Sequence, residues 1–461
     1  VLRISFLGIL LLLCCVVQAA SCQVPEVVVH EVNWEGNDIT KEQVLLQELT
    51  FAPGDTIPAE ELEARFEESR KRLFNLRLFH YVSYSYTCQS GQVQVTYKVQ
   101  ERFYLYPFPI FDFADRNFNA WLEKKDWGRI DYGINLIKRN FRGRNEEVRL
   151  RVQRGFNKRL ELSYRVPYIN RKHNLGFEVG ASDYRSRTIN YNTLRNKQYF
   201  LEQEEGLPIK RTAFFGTLIH RQSVQRQELF RLVYGQETIA DTVAQVNPEY
   251  FTRAETERQY MRFEVAKVIN LRNTFAYPLT GSYFEAAIGQ TFFLNNTGSP
   301  LTIIRAKYVD YLKLSDKYYY SVGAEGQLKL SQNYAYTDNT ALGFRSLVRG
   351  YELYVVGGQH YGLFKQGVTR ELLNIKSIRL KFIDNPKFNN IPLAVYLNAF
   401  SDAGYTIDNV YGKNNPLTNR LLVGGGLGLH VVTFYDMVLR LEYSVNREGD
   451  RGFYFSGRFP F

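Results

Sequence analysis

Past residue 20 the chain has no apolar run of about 18 residues, the length a membrane-crossing helix needs, so helix-spanning membrane proteins are excluded. Cysteine is scarce: 4 residues, of which Cys14 and Cys15 fall in an apolar leader and Cys22 and Cys88 beyond it. There is no H-E-x-x-H, no G-x-S-x-G elbow and no Walker loop, and the 6 histidines are scattered. No nucleophile can therefore be paired with a base by motif, and enzymatic activity, a bound cofactor and a metal are not expected. The Gly424–Gly428 run lies in a strand pattern with no helix after it, so it reads as close packing or a kink in a wall rather than a phosphate cradle. None of these absences touches a membrane protein that crosses with strands.

What the chain does have is aromatic and basic, with 33 Tyr, 33 Phe and a net charge of +11. Such a charge can serve nucleic acid. Residues 1–20, however, read as a secretory signal, with Arg3 as its basic start, Ile4 to Val17 as its apolar core and Val17-Gln18-Ala19 as its cleavage site. Nucleic acid is accordingly not an expected partner, and the charge is assigned to a polar lumen and to anionic lipid headgroups. Two readings of the surviving cysteines stand. Ala20-Ser21-Cys22 would suit lipid attachment at Cys22, whereas Cys22 and Cys88 would form a disulfide in an oxidising compartment.

Residues 25–102 read as a small α/β unit in the order strand, helix, helix, strand, strand. Thr40 is placed as N-cap of the first helix, and Leu62, Phe66, Leu73 and Phe74 form an apolar stripe on the second. From residue 103 the period becomes two. Leu160, Leu162, Tyr164 and Val166 alternate with Arg159, Glu161, Ser163 and Arg165, and Leu439, Leu441, Tyr443 and Val445 with Arg440, Glu442, Ser444 and Asn446. Charges kept to one face of every strand fit a polar lumen and an apolar exterior. A soluble sandwich would have to bury far more apolar face than one such core contains. The last ten residues carry the pattern furthest, with Phe453, Phe455, Phe459 and Phe461 on one face as the closing strand.

About sixteen strands can be placed, near 105–115, 129–139, 145–154, 159–168, 174–185, 211–222, 226–238, 257–270, 282–293, 300–315, 318–330, 357–372, 391–402, 420–432, 437–446 and 452–461. The expected fold is mainly β: a 16-stranded transmembrane antiparallel barrel over 103–461, preceded by the α/β unit. Long connections alternate with short ones and fall on one side, except 373–390, which is long on the other. Pro107 and Pro109 in the first strand and Pro460 in the last remove donors from the two strands that meet at closure, which predicts a weak seam unless the prolines lie beyond the paired region.

The α/β order, the run Leu73-Phe74-Asn75-Leu76-Arg77-Leu78-Phe79, the turns Asn140-Phe141-Arg142-Gly143 and Pro278-Leu279-Thr280-Gly281, and above all Val348-Arg349-Gly350-Tyr351 followed by Phe400-Ser401-Asp402-Ala403-Gly404 resemble the BamA/TamA-like outer-membrane assembly and translocation family. The resemblance covers nearly all of the mature chain and makes the first unit POTRA-like. It implies that loop six folds back into the barrel, with Arg349 meeting Phe400 and Asp402 on the inner wall, and that Gly350 allows the sharp loop tip. It also implies a bacterial outer-membrane location with the first unit in the periplasm. Function would then be insertion or translocation of unfolded outer-membrane or secreted polypeptides by strand templating, in contact with outer-membrane lipid and with room for accessory assembly proteins. A secretion pore for one passenger and a non-translocating surface barrel are the alternatives, since this chain carries a single such unit where central assembly proteins carry several.

Overall fold

A computed structural model describes residues 24–113, 121, 127, 129–170, 172, 174–203, 206–223, 225–295, 297–379, 390–433 and 437–457. The chain divides after Arg102 into two compact units.

The first unit contains β1 (Glu26–Glu35), α1 (Glu42–Leu46), β2 (Thr56–Pro58), α2 (Leu62–Asn75), β3 (Phe79–Gln89) and β4 (Gln92–Glu101). Its sheet runs β2-β1-β4-β3, with β1 parallel to β4. The sequence predicts three strands; β2 is the fourth, a three-residue strand of Thr56, Ile57 and Pro58 too short to carry a period. α2 buries Leu62, Phe66 and Leu73 together with Val27, Val93, Val95 and Tyr97, and the Tyr97 hydroxyl donates to the Phe66 carbonyl at 3.2 Å. Thr40 does not cap α1, whose N-cap is Lys41. Its hydroxyl and its N–H both donate to buried Glu101, tying the loop to the end of β4.

The second unit is a single antiparallel sheet of sixteen strands in chain order. They are β5 (Leu105–Phe113), β6 (Ile130–Phe141), β7 (Glu146–Gly155), β8 (Asn157–Val166), β9 (Leu175–Ser186), β12 (Ile209–Ser223), β13 (Arg226–Ile239), β14 (Glu257–Asn270), β15 (Gly281–Phe293), β16 (Leu301–Lys313), β17 (Tyr318–Leu330), β18 (His360–Arg379), β19 (Asn390–Ile407), β20 (Leu422–Thr433), β21 (Met437–Asn446) and β22 (Arg451–Ser456). β10 (Thr188–Leu194) and β11 (Lys197–Glu202) form a separate hairpin in the 187–208 connection, and α3 (Asp241–Val246) lies in the next long one. Along β21 buried Arg440, Glu442, Ser444 and Asn446 alternate with exposed Leu441, Tyr443 and Val445. That inverted amphipathicity, charge inside and hydrocarbon outside, is the transmembrane barrel pattern.

The connection 373–390 is not a long loop. β18 and β19 run to 20 and 18 residues, and only 380–389 separate them, outside the described residues. Pairing of β18 with β17 stops at Arg370, whereas pairing with β19 continues to Arg379, so the hairpin runs past β17 by about 23 Å, counted along β19 at about 3.3 Å per residue, and past β20 by less, since β19 pairs with β20 as far as Ala394. Bulges after Glu371 and Ile375 interrupt its alternation, which is why the period fails there.

Candidate functional site in the barrel lumen

The connection 331–359 between β17 and β18 turns inward and packs against the wall. Its Leu342, Val348, Tyr351 and Val356 form one cluster with Leu363 of β18, with Leu417 of the connection 408–421 and with Leu422 at the start of β20, and Leu342 and Val356 bridge backbone to backbone. The wall is cut to receive it. A Cβ at Gly424 would stand 1.9 Å from the Arg349 carbonyl oxygen, and one at Gly404 would stand 2.5 Å from a Val348 methyl. The glycines of β20 thus serve close packing. Gly350 itself has φ +96°, a conformation open to glycine at little cost.

Arg349, at the loop tip, is 4% exposed. Its Nη2 donates to Asp402 Oδ1 at 2.6 Å and its Nε to Asp402 Oδ2 at 2.8 Å, a bidentate fork, while its own N–H reaches Oδ2 at 3.1 Å. The guanidinium carbon stands 3.7 Å from the centre of the Phe400 ring. Phe400 and Asp402, two residues apart on β19, share the lumenal face. Room for the ring comes from Gly426, where a Cβ would lie 2.9 Å from the ring tip.

Four partners escape sequence reasoning. Glu442 of β21 accepts from Arg349 Nη1 at 3.3 Å. Lys365 of β18 stands 3.6 Å from Asp402. His430 of β20 faces Glu442 at 3.4 Å and pairs through its other ring nitrogen with the Tyr277 hydroxyl at 2.8 Å. Tyr277 lies on the turn 271–280, so a continuous polar chain joins the 331–359 connection to a turn at the opposite end of the strands. The fourth partner is Glu352, buried two residues after the tip and accepting from the Gly350 N–H at 2.8 Å. Burial, with Glu442 nearby, pushes its carboxyl up to about 7. Inward alternation marks Glu442 and Lys365 as lumenal, but which strands stand level depends on register, which no single strand encodes. Nothing in the sequence signals the burial of Glu352.

The other predicted residues are distributed elsewhere. Phe453 and Phe455 are 70% and 46% exposed on the outer face, whereas Phe459, Pro460 and Phe461 lie outside the described residues. Pro107 and Pro109 lie within β5, paired with Leu136 and Ile134 of β6. Because the Arg139 N–H donates to the Tyr104 carbonyl, 104/139 is a hydrogen-bonded pair, and alternation places 106, 108 and 110 in bonding positions toward β6. The imide nitrogens of Pro107 and Pro109 therefore point to the other edge of β5, which ends the sixteen-strand order at one side as β22 ends it at the other. Cys88 on β3 is disulfide-bonded; Cys22 lies outside the described residues.

Comparison with known proteins gives a surface antigen variable number repeat of the POTRA kind over residues 27–102 and an Omp85 superfamily domain over residues 140–457. Among solved structures the chain is similar to BamA from Haemophilus ducreyi lacking POTRA domains 1–3, at 15% identity and a TM-score of 0.54, over 93% of this chain and 84% of that one. It is also similar to CdiB from Acinetobacter baumannii at 16% identity and a TM-score of 0.50, over 93% and 73% of the two chains. CdiB from Escherichia coli matches at 12% identity and a TM-score of 0.54, over 94% and 75%. At such identities the structural likeness shows a shared fold alone. No curated protein sequence matches significantly.

Proposed function

This chain belongs to the Omp85 superfamily of outer-membrane proteins that insert or secrete polypeptides, and from that premise we propose that it moves client chains by strand templating at the β5–β22 seam. The observation that carries the reading is the direction of the two prolines. A barrel strand that keeps its ladder to β6 while withholding two donors from its closing edge makes a weakened seam there, and an incoming strand can compete for it. Unpaired backbone groups in hydrocarbon cost several kcal/mol each, so whatever opens that edge must at once offer it a new partner. The Arg349 anchor supports the same reading. It holds a loop across the lumen while the wall stays free to part, and a diffusion pore would have no use for such an obstruction. The N-terminal unit is assigned to the periplasm, where its edge strand β3 receives extended clients before they reach the barrel.

The test is a panel of cysteine pairs across β5 and β22, assayed in liposomes with an unfolded barrel client. Oxidation should abolish client insertion and reduction should restore it. Insertion that proceeds undiminished through a fully locked seam rules the mechanism out, and loss of a single secreted product with insertion intact points to a one-passenger secretion pore.

A further inference from the structure

We propose that the chamber between the lumenal wall and the capping loops at the far end of the barrel binds a short acidic oligosaccharide. The chamber encloses about 550 Å³, within the ~300–1,000 Å³ typical of small-ligand sites. Its wall is one level row across adjacent strands, set by register: Gln153 faces Arg159, Arg159 faces Tyr184, and Tyr184 faces Arg211. Its roof comes from the connections 240–256, 331–359 and 408–421, whose Tyr250, Tyr336 and Tyr411 line it and pack over Ile189, Ile209 and Ile239.

The charges of the lining point to an anionic ligand. The charged side chains facing the space are Arg151, Arg159 and Arg211 against Asp131 alone. Asp131 is saturated, accepting from Gln153 Nε2 at 2.8 Å and from the Asn157 N–H and Nδ2 at 2.7 Å each. Arg211 shares one carboxylate, Glu237, with a second arginine, Arg258. Its Nε is buried without a hydrogen bond, 3.3 Å from a Glu237 carboxylate that Arg258 holds at 2.7 Å, while 41% of the Arg211 side chain stays open. Arg159 is held on one side by Glu161 at 2.8 Å and is 39% open. A cationic fork with spare donors suits a carboxylate or phosphate.

The remaining lining supplies the rest of a saccharide site. Gln198 Oε1, buried without a hydrogen bond, gives an acceptor for a sugar hydroxyl, and aromatic rings offer flat apolar faces. Much of this is already oriented: Tyr184 donates to Asn157 at 3.0 Å, and Thr193 meets the Tyr336 hydroxyl at 2.7 Å. The sheet wall separates the space from acyl chains, so the sugar enters as a soluble segment and not as the headgroup of an embedded lipid.

Calorimetry on the full chain in detergent tests this with three probes: trigalacturonate, neutral maltotriose and inorganic phosphate. Trigalacturonate should bind at one site, maltotriose at least tenfold more weakly, and phosphate more weakly still. Arg211→Gln and Arg159→Gln should each weaken trigalacturonate about tenfold while the barrel keeps its heat-modifiable mobility on gels. Because two independent variants are used, misfolding of one leaves the other decisive. Equal binding of phosphate and trigalacturonate overturns the saccharide assignment, equal binding of maltotriose overturns the role of the arginines, and no binding of any probe overturns the site.

Discussion

Arg349 and Asp402 meet through a two-bond fork, 2.6 and 2.8 Å, although 53 residues separate them and one sits on a loop and the other in the wall. Both are buried, with Glu442 and Lys365 as further charged neighbours, so the pair is desolvated and its cost is offset only while the geometry holds. Removing one partner leaves the other charged and unmatched. Arg349→Glu should destabilise loop docking by roughly 3–5 kcal/mol, and Asp402→Arg in the same chain should recover part of it. Proteolysis of the 331–359 connection with intact barrels measures both, and a double variant no better than the single one would remove the pairing from the account.

Loop seating also depends on the missing Cβ at Gly424. With the Arg349 carbonyl oxygen 1.9 Å from where that atom would stand, Gly424→Ala should displace the loop at a cost of about 1–3 kcal/mol. Gly362, around which a Cβ would meet nothing within 4 Å, is the control. Equal protease resistance of the two alanine variants would mean that the close approach does not hold the loop.

Glu352 makes the same docking depend on pH. Its carboxyl rises from an ordinary 4.5 to about 7 on burial, so the docked loop binds a proton that the released loop gives up. Stability from this group is therefore complete below pH 4.5 and is lost as pH climbs through 7, by up to about 3 kcal/mol. The charged groups nearest it, Glu442 and Lys365, oppose each other and leave burial dominant. Protease release of the loop should increase from pH 5 to pH 8 in the parent protein and stay flat in Glu352→Gln; a parent with no slope would contradict the assignment.

At the seam, replacing Pro107 and Pro109 together with valine restores two N–H donors on the closing edge. Each new bond adds about 1 kcal/mol, so the double variant should unfold at a higher temperature and insert clients more slowly. A variant that is more stable yet inserts at the parental rate would separate seam strength from function.

How far the residues alone reveal this molecule depends on whether a feature is local. Alternation of Leu441, Tyr443 and Val445 with Arg440, Glu442 and Ser444 is local, and it carries the inside-out character of the wall and the count of sixteen strands. The fork between Arg349 and Asp402 is not local, yet it is reachable through the resemblance of two short motifs. That Glu442, Lys365 and His430 stand level with the fork is legible by neither route, because the placement of β18, β20 and β21 is a property of register across the whole sheet. β2 and the overshooting β18–β19 hairpin fail for a third reason, one being too short and the other too bulged to keep a period.

The central claim is that clients meet the protein at its closing edge. A photo-reactive residue at Phe111 on β5 or Phe453 on β22, compared with one at the equally outward Phe263 on β14, tests it during client insertion. Capture of the client at 111 and 453 but not at 263 is the predicted result. Capture equal at all three positions, or only from lumenal positions, would contradict it.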